Sequence, residues 1–189
     1  MKKSTIILLV VLVVIVLGVF YAWSFYNNTI TKDQVVQAQW AQVENQYQRR
    51  FDLIPNLVNL VKLGMAQEQK VFSDIADART KYSGAQTVED RVQAANQVEG
   101  ALGRLLVIME NYPQLKSVEA VQQAMAELAG TENRVAVERG RFNDKVGEYN
   151  TAIIQFPANI LAKMFGFAKK SYFEAAKGAE TAPQINPNL

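Results

Sequence analysis

Apolar residues recur at alternating steps of four and three residues through much of the first half of the chain. The repeat runs through Val36, Trp40, Val43, Tyr47, Arg50, Ile54, Leu57, Val61, Gly64, Glu68, Val71, Ile75, Ala78 and Tyr82. This spacing is typical of a helix that buries a narrow stripe of side chains against partner helices. The pattern therefore predicts a first long helix over residues 32–82.

Pro55 lies inside this first predicted helix. A proline in a helix interior removes one hydrogen bond and clashes with the preceding turn, at a cost of about 3 kcal/mol. Because the apolar repeat keeps its phase from Ile54 to Leu57, the sequence predicts one helix kinked at Pro55 and not a helical hairpin.

Two further stripes of the same kind predict helices over residues 87–110 and 117–156. The second stripe consists of Val88, Val92, Ala95, Glu99, Leu102, Leu106 and Met109, and the third of Val121, Met125, Leu128, Glu132, Val135, Arg139, Phe142, Val146, Tyr149, Ile153 and Phe156. Thr87 and Ser117 are suited to cap these helices, and Pro113 separates them. Because a helix with one apolar stripe must bury it against another, the stripes predict an all-α fold. We expect an N-terminal transmembrane helix followed by an elongated antiparallel bundle of three to four long helices.

The N-terminal stretch from Thr5 to Tyr26 contains no charged residue and is dominated by Ile, Leu and Val. A helix of this length spans roughly 30 Å, enough to cross the hydrocarbon core of a bilayer. A cleaved signal peptide is the competing interpretation, but its apolar part is shorter and ends in a small-residue cleavage site. The sequence therefore favours a retained anchor, with residues 1–30 as a short stub and a single transmembrane helix.

The charges around this stretch predict its orientation. Lys2 and Lys3 precede the span, whereas beyond it Lys32 is offset by Asp33. By the positive-inside rule, the N-terminus lies in the cytoplasm and the body lies on the extracytoplasmic side of the inner membrane. Thr31 and the residues after it resemble a helix start, so the first bundle helix either begins there or continues the anchor.

A short amphipathic helix is predicted over residues 158–173, at the end of a bundle domain that covers residues 31–174. Aromatic and apolar side chains alternate there with lysines, which suits a membrane interface or a groove on a partner protein. The candidate contact residues are Phe156, Ile160, Lys163, Phe165, Phe167, Lys169, Lys170 and Phe173. The alternative is that these side chains cap the end of the bundle. Residues 175–189 are rich in Ala, Pro, Asn and Thr and are predicted to form a flexible tail.

Five charged residues occupy stripe positions: Arg50, Glu68, Glu99, Glu132 and Arg139. Charges that face a core are costly unless they are paired, so we expect the two arginines to be answered by glutamates across the helices. Such pairs favour one helix alignment over others, and this role is preferred over the alternative of a carboxylate site or a ligand-binding patch.

Composition narrows the chemistry that the protein can carry. The chain of 189 residues has no cysteine, no histidine and a net charge of +2. These features remove thiolate nucleophiles and the commonest general base and metal ligands, and they give no electrostatic argument for binding nucleic acid. The sequence therefore predicts a protein that is not an enzyme and has no cofactor, no catalytic residue and no metal site.

Several segments together resemble the LemA family of bacterial membrane-anchored helical proteins. They are residues 47–58 (YQRRFDLIPNLV), 110–116 (ENYPQLK) and 131–136 (TENRVA), together with Tyr149-Asn150 and Phe156-Pro157. The resemblance implies an N-terminal transmembrane helix and a helical bundle, with no established biochemical activity. It also implies a link to membrane proteases.

The residues and the resemblance lead to one functional hypothesis with two alternatives. The leading hypothesis is a membrane-anchored helical scaffold or adaptor of the bacterial envelope, acting by self-assembly or by docking to a membrane protein. One alternative is a regulatory partner of an envelope membrane protease. The other is a protein that binds or remodels the membrane surface through its C-terminal amphipathic segment. The expected partners are the lipid bilayer and a second copy of the chain.

Overall fold

The computed structural model describes residues 3–173, and the predicted tail over residues 175–189 lies outside them. The described residues form helices and no strand, so the all-α prediction is confirmed. In chain order the helices are α1 (Lys3–Lys62), α2 (Gln69–Gly84), α3 (Val88–Met109), α4 (Pro113–Lys116), α5 (Glu119–Ile154) and α6 (Ala158–Phe165).

The described residues divide into two compact units. Unit 1 consists of residues 3–42 and 140–172, and unit 2 consists of residues 43–139 together with Phe173. Both α1 and α5 contribute to each unit, because each of these helices is long enough to pass through the boundary.

In unit 1 the N-terminal part of α1 packs against the C-terminal part of α5. The Trp40 and Phe142 rings meet with centroids 5.4 Å apart, and further along α5 Tyr149 lies near Asp33. Residue numbers therefore rise along one helix as they fall along the other, which makes the pair antiparallel. The buried residues recur at helical spacing on both sides: Phe25, Thr29, Val36 and Trp40 on α1, and Phe142, Val146, Tyr149 and Ile153 on α5.

The apolar start of α1 is the one stretch of the described residues that is long and apolar enough to cross a membrane, and its most apolar 18 residues are not buried by the rest of the chain. No new helix begins near Thr31. The Thr31 hydroxyl instead donates to the Asn27 carbonyl one turn earlier within α1. The sequence left open whether the first bundle helix begins near Thr31 or continues the anchor. The structure shows that it continues the apolar stretch.

Unit 2 combines the C-terminal part of α1, the α2–α3 hairpin, α4 and the first part of α5. Thr87 caps α3 as expected, since its side-chain oxygen accepts from the backbone N–H of Asp90 at 3.0 Å. The core contains apolar residues from each long helix, including Ile54 and Leu57 of α1, Ile75 of α2 and Leu105 of α3. Helix α1 is continuous through Pro55, so there is no hairpin at this proline.

The prediction of one uninterrupted helix over residues 32–82 is wrong, because the chain leaves the helix at one place. Helix α1 ends at Lys62 and α2 begins at Gln69, with a turn between them. Gly64 lies in this turn and allows a close approach, since a Cβ atom there would lie 2.7 Å from a Leu115 side-chain carbon. Leu115 therefore packs against the turn, in which Met65 is fully buried.

Three other predicted boundaries also need correction. The segment before α5 forms the single turn α4, with Pro113 at its first position, so α5 begins at Glu119 and not at Ser117. Helix α5 ends at Ile154, two residues before the predicted end at residue 156. The helix predicted over residues 158–173 ends at Phe165, because Gly166 adopts a left-handed φ of 75° that terminates it.

Candidate functional site

Arg50 is the buried charge at the centre of unit 2. Its Nη2 lies 2.8 Å from Glu99 Oε2 and 3.4 Å from Glu132 Oε2, so a residue of α1 pairs with residues of α3 and α5. The structure therefore places Arg50, Glu99 and Glu132 together as a charged cluster that joins these helices.

Glu99 is the more buried of the two carboxylates. Its side chain is 24% exposed, and burial raises its pKa above the ordinary value, against the opposing effect of the nearby Arg50 and Arg139 guanidinium groups. Desolvation thus outweighs attraction at this carboxyl group. Arg139 is close enough to Glu99 to be one of its electrostatic partners.

Arg139 makes its direct contacts with aromatic residues. It donates a hydrogen bond to the Tyr47 hydroxyl, and its guanidinium carbon lies 4.2 Å from the centroid of the Phe173 ring. Burial raises the pKa of Tyr47 to about 12, although Arg139 acts in the opposite direction. The expectation that Arg139 faces only a glutamate is therefore incomplete, and the sequence did not identify Tyr47 as its partner.

Two of the five predicted charged positions differ from the expectation of a core stripe. The Glu132 side chain is 64% exposed, and its neighbour Thr131 takes the buried place, with its hydroxyl donating to the Leu128 carbonyl at 2.7 Å. Glu68 lies in the turn before α2 and accepts a hydrogen bond from the Tyr112 hydroxyl at 3.3 Å. Glu68 thus belongs to the turn and not to the charged cluster of Arg50, Glu99 and Glu132, and Arg139 lies beside that cluster through its electrostatic interaction with Glu99.

In unit 1, the segment that begins with α6 packs beside the end of the apolar stretch of α1. The Tyr26 ring lies 5.2 Å from the Phe165 ring and 5.7 Å from the Phe167 ring, measured between centroids. The Phe25 and Phe167 rings also meet, at 6.2 Å. These contacts place α6 at the level along α1 where the apolar stretch ends.

Two hydrogen bonds between the Asn150 side chain and the Lys170 backbone hold the segment after α6 in place. The Asn150 side-chain amide donates to the Lys170 carbonyl at 2.9 Å, and its oxygen accepts from the Lys170 backbone N–H at 2.8 Å. The Lys170 ammonium group pairs with Asp33 of α1 at 2.5 Å and lies 5.3 Å from the Tyr149 ring centroid. Asn150 is not a stripe position, and its place next to Tyr149 in a segment shared with the resembled family is the only sequence signal that points to it.

The predicted contact residues near α6 therefore separate into two groups. Phe173 is only 6% exposed and Lys170 pairs with Asp33, so the structure places both side chains in contacts within the chain. Phe156 is 81% exposed, Ile160, Lys163, Phe165 and Lys169 are exposed, and Phe167 is half-buried. Whether this second group contacts a membrane or a partner stays a prediction.

A second exposed apolar surface lies in unit 2, at the turn between α1 and α2. Leu63 is 92% exposed there and borders an open cleft of about 640 Å³ that Ala66 and Phe72 also line.

Among residues 3–173, no group of three or more carboxylates lies close enough together to hold a metal ion.

Comparison with known proteins adds a family and three relatives. A family model described as the LemA family matches residues 39–186. The chain is 30% identical to magnetosome protein MamQ 1 and magnetosome protein MamQ 2 of Paramagnetospirillum magneticum, over 190 aligned positions that cover 87% of this chain and 70% of each relative. Magnetosome protein MamQ of Magnetospirillum gryphiswaldense is similar to the same extent.

Proposed function

The chain belongs to the LemA family, and we propose that it is a membrane-anchored helical scaffold that acts by protein–protein association and not by catalysis. The observation that carries the proposal is the continuity of α1. This one helix begins with the exposed apolar stretch and then contributes Phe25, Val36 and Trp40 to the buried core of unit 1. The proposed membrane anchor therefore belongs to a helix that also contributes to the core of unit 1.

Continuity matters because a hydrogen-bonded helix transmits position along its axis, whereas a flexible linker does not. Within unit 1 the packing of Trp40 on Phe142 and the pairing of Asp33 with Lys170 fix α5 and the segment after α6 to α1. Unit 1 is therefore held at a set height along its own anchor, which is the property that a scaffold at a membrane requires.

We further propose that the partner is a second copy of the chain, which docks through the turn around Leu63. A large and almost fully exposed apolar side chain beside an open cleft is a feature of association surfaces. Two copies anchored in one membrane with the same orientation are related by an axis along the membrane normal, so the same turn of each copy lies at the same height. This equal height is compatible with the proposed symmetric contact between the two turns.

The absence of cysteine from the sequence makes this proposal directly testable. Leu63→Cys introduces a single thiol, and oxidation in native membranes is expected to yield a disulfide-linked species of twice the chain mass. Glu127→Cys, at an exposed position of α5 in the same unit, is the matched control and is expected to remain monomeric. A Leu63→Cys protein that stays monomeric, or that is trapped on a different membrane protein, would overturn self-association.

The proposed topology is a single pass through the inner membrane, with the N-terminus in the cytoplasm. The two lysines before the span support this orientation by the positive-inside rule. In intact spheroplasts, a maleimide that cannot cross membranes is expected to label Glu127→Cys and to leave Ser4→Cys unlabelled until the membrane is opened. The reverse labelling pattern would show that the body lies in the cytoplasm.

A further inference from the structure

Helix α6 has an inverted distribution of side chains. It buries its small residues Ala158 and Ala162, whereas the larger Ile160 and Met164 are exposed, Met164 to 72%. Phe156, two residues before the helix, is still more exposed. Ile160 and Met164 are four residues apart and therefore share one face of the helix. Water favours the opposite arrangement, so this face is suited to an apolar environment outside the chain.

The position of α6 within unit 1 identifies that environment. A helix rises about 1.5 Å per residue, so the mainly apolar stretch from Ile6 to Tyr26 covers about 30 Å, the thickness of a bilayer core. Tyr26 consequently lies where the span leaves the hydrocarbon, at the level that aromatic residues prefer. Because Phe165 and Phe167 touch Tyr26, the end of α6 and the residues after it lie at that same level.

The charges of the segment agree with a lipid surface. Residues 156–173 contain three lysines and no aspartate or glutamate. Lys170 is neutralised by Asp33, but Lys163 and Lys169 are exposed. Exposed lysines beside apolar side chains are attracted to anionic headgroups, while their neighbours enter the acyl boundary.

We propose that α6 lies in the headgroup region of the membrane leaflet from which α1 emerges, with Phe156, Ile160 and Met164 inserted among the lipids. The inference rests on the proposed anchor and adds a second point of attachment. One helix crossing a bilayer leaves the protein free to tilt and rotate, and an inserted side helix restricts both motions.

The experiment uses the full chain in liposomes that contain anionic lipid. Single-cysteine variants carry an environment-sensitive nitrobenzoxadiazole label. The quenchers are phospholipids that carry a spin label either near the headgroup or deep in the acyl chain, and iodide in the water. Met164→Cys is expected to show blue-shifted emission, quenching by the lipid probe and protection from iodide.

Labels at two other positions give reference signals, one for the bilayer interior and one for water. Val13→Cys, inside the apolar stretch, reports an anchor that spans the bilayer. Asp144→Cys is the aqueous control in the same unit. It lies next to Phe142, which contacts Trp40, and Trp40 is about 21 Å beyond Tyr26 along α1.

The possible outcomes separate the two proposals. Lipid quenching at both Val13 and Met164 supports the inference. Lipid quenching at Val13, with iodide quenching at Met164 like that at Asp144, overturns the placement of α6 and leaves the anchor standing. Iodide quenching at all three positions overturns the anchor as well.

A charge variant tests the role of the lysines without disturbing the fold, because Lys163 and Lys169 are both exposed. Lys163→Glu together with Lys169→Glu is expected to reduce lipid quenching at Met164 in anionic liposomes and to have little effect in neutral ones. Unchanged quenching in anionic liposomes would overturn the proposed attraction to headgroups.

Discussion

The charged cluster of unit 2 and helix α6 of unit 1 break the usual rule of burial in opposite ways. Around Arg50 the chain places charge inside, and it supplies the partners itself, with Glu99 at 2.8 Å. In α6 the chain places large apolar side chains outside, and Met164 remains exposed. In the first case the charge is paired with carboxylates within the fold, whereas in the second case the described chain leaves the apolar side chains exposed.

This difference teaches how to interpret residues that lie on the unexpected side of a structure. A buried charge with a partner contributes to the alignment of helices, so its loss is expected to reduce stability. An exposed apolar residue contributes little to stability, and its loss is expected to change contacts outside the chain. The two regions should therefore respond to substitution through different measurements.

Arg50→Met is expected to have the largest effect on stability. The substitution replaces arginine with an apolar side chain of roughly similar length and leaves the half-buried Glu99 carboxylate without its nearest cation. Loss of one partner of a buried pair costs about 3–5 kcal/mol in the free energy of unfolding. Urea unfolding of the detergent-solubilised chain, followed by circular dichroism, measures the change.

Two further variants make this result specific to the pair. Arg49→Met removes an exposed arginine one residue earlier and is expected to change the free energy of unfolding by less than about 0.5 kcal/mol. Adding Glu99→Leu to Arg50→Met removes the stranded charge and is expected to restore most of the lost stability. If Arg50→Met were as stable as the unchanged protein, the cluster would have no role in the packing of unit 2.

Phe173→Ala compared with Phe156→Ala contrasts the two kinds of aromatic residue in one stretch of sequence. Phe173 is buried in unit 2, under Arg139 and stacked on Tyr47 with ring centroids 6.5 Å apart. Its truncation is expected to cost about 3 kcal/mol, the lower end for a buried phenylalanine, because it lies near the end of the described chain. Phe156 is exposed, and its truncation is expected to cost less than about 0.5 kcal/mol.

The two variants are measured in detergent by the same unfolding experiment. Equal losses of stability would remove the distinction between a phenylalanine that belongs to the core and one that faces the surroundings. A large loss for Phe156→Ala alone would indicate that the end of α5 and the start of α6 depend on that ring.

The fold was largely predictable because the apolar period directly reports which face of each helix is buried. The buried residues Val36, Ile54 and Ile75 fall on the predicted stripe. The turn after α1 was not predictable, because Gly64 keeps the phase of the stripe and the Leu115 side chain that packs closely against it lies far along the sequence.

Part of the candidate site was predictable from the free-energy cost of burying an unpaired charge. That cost correctly implied glutamate partners for Arg50, and the structure provides Glu99 and Glu132. It could not distinguish Glu132 from Thr131 as the buried position, because a threonine hydroxyl can satisfy itself on its own helix. Nor could periodicity determine whether α6 faces the bundle or a membrane, since both environments favour the same residues.

Asn150→Ala is expected to loosen the segment after α6 in unit 1. The side chain of Asn150 satisfies both the backbone N–H and the carbonyl of Lys170, and both groups lose a partner in the variant. Loss of such buried hydrogen bonds costs about 1–3 kcal/mol. Faster hydrogen exchange around residues 167–172 is the most direct measurement, with Thr151→Ala at the exposed neighbouring position as the control.

The smallest predicted effect is the pH dependence that Glu99 confers on unit 2. Burial raises the pKa of Glu99 above its ordinary value of 4.5. Between 4.5 and the raised value the folded state keeps a proton that the unfolded state has released, so this contribution to the free energy of unfolding falls as the pH rises. It is fully present below pH 4.5 and is lost as the pH passes the raised pKa.

Glu99→Gln cannot titrate at this position, so the unchanged protein should lose stability relative to the variant as the pH rises from 4 to 7. The urea midpoints of the two proteins, measured across that range, give the difference. In the Arg50→Met background the pKa of Glu99 should rise further, because the largest opposing charge is gone. The dependence on pH should then be steeper. A midpoint difference that stays constant would mean that attraction to the arginines balances desolvation. A difference that changes in favour of the unchanged protein would mean that attraction outweighs desolvation. Arg50 would then stabilise Glu99 as a fully ionised partner.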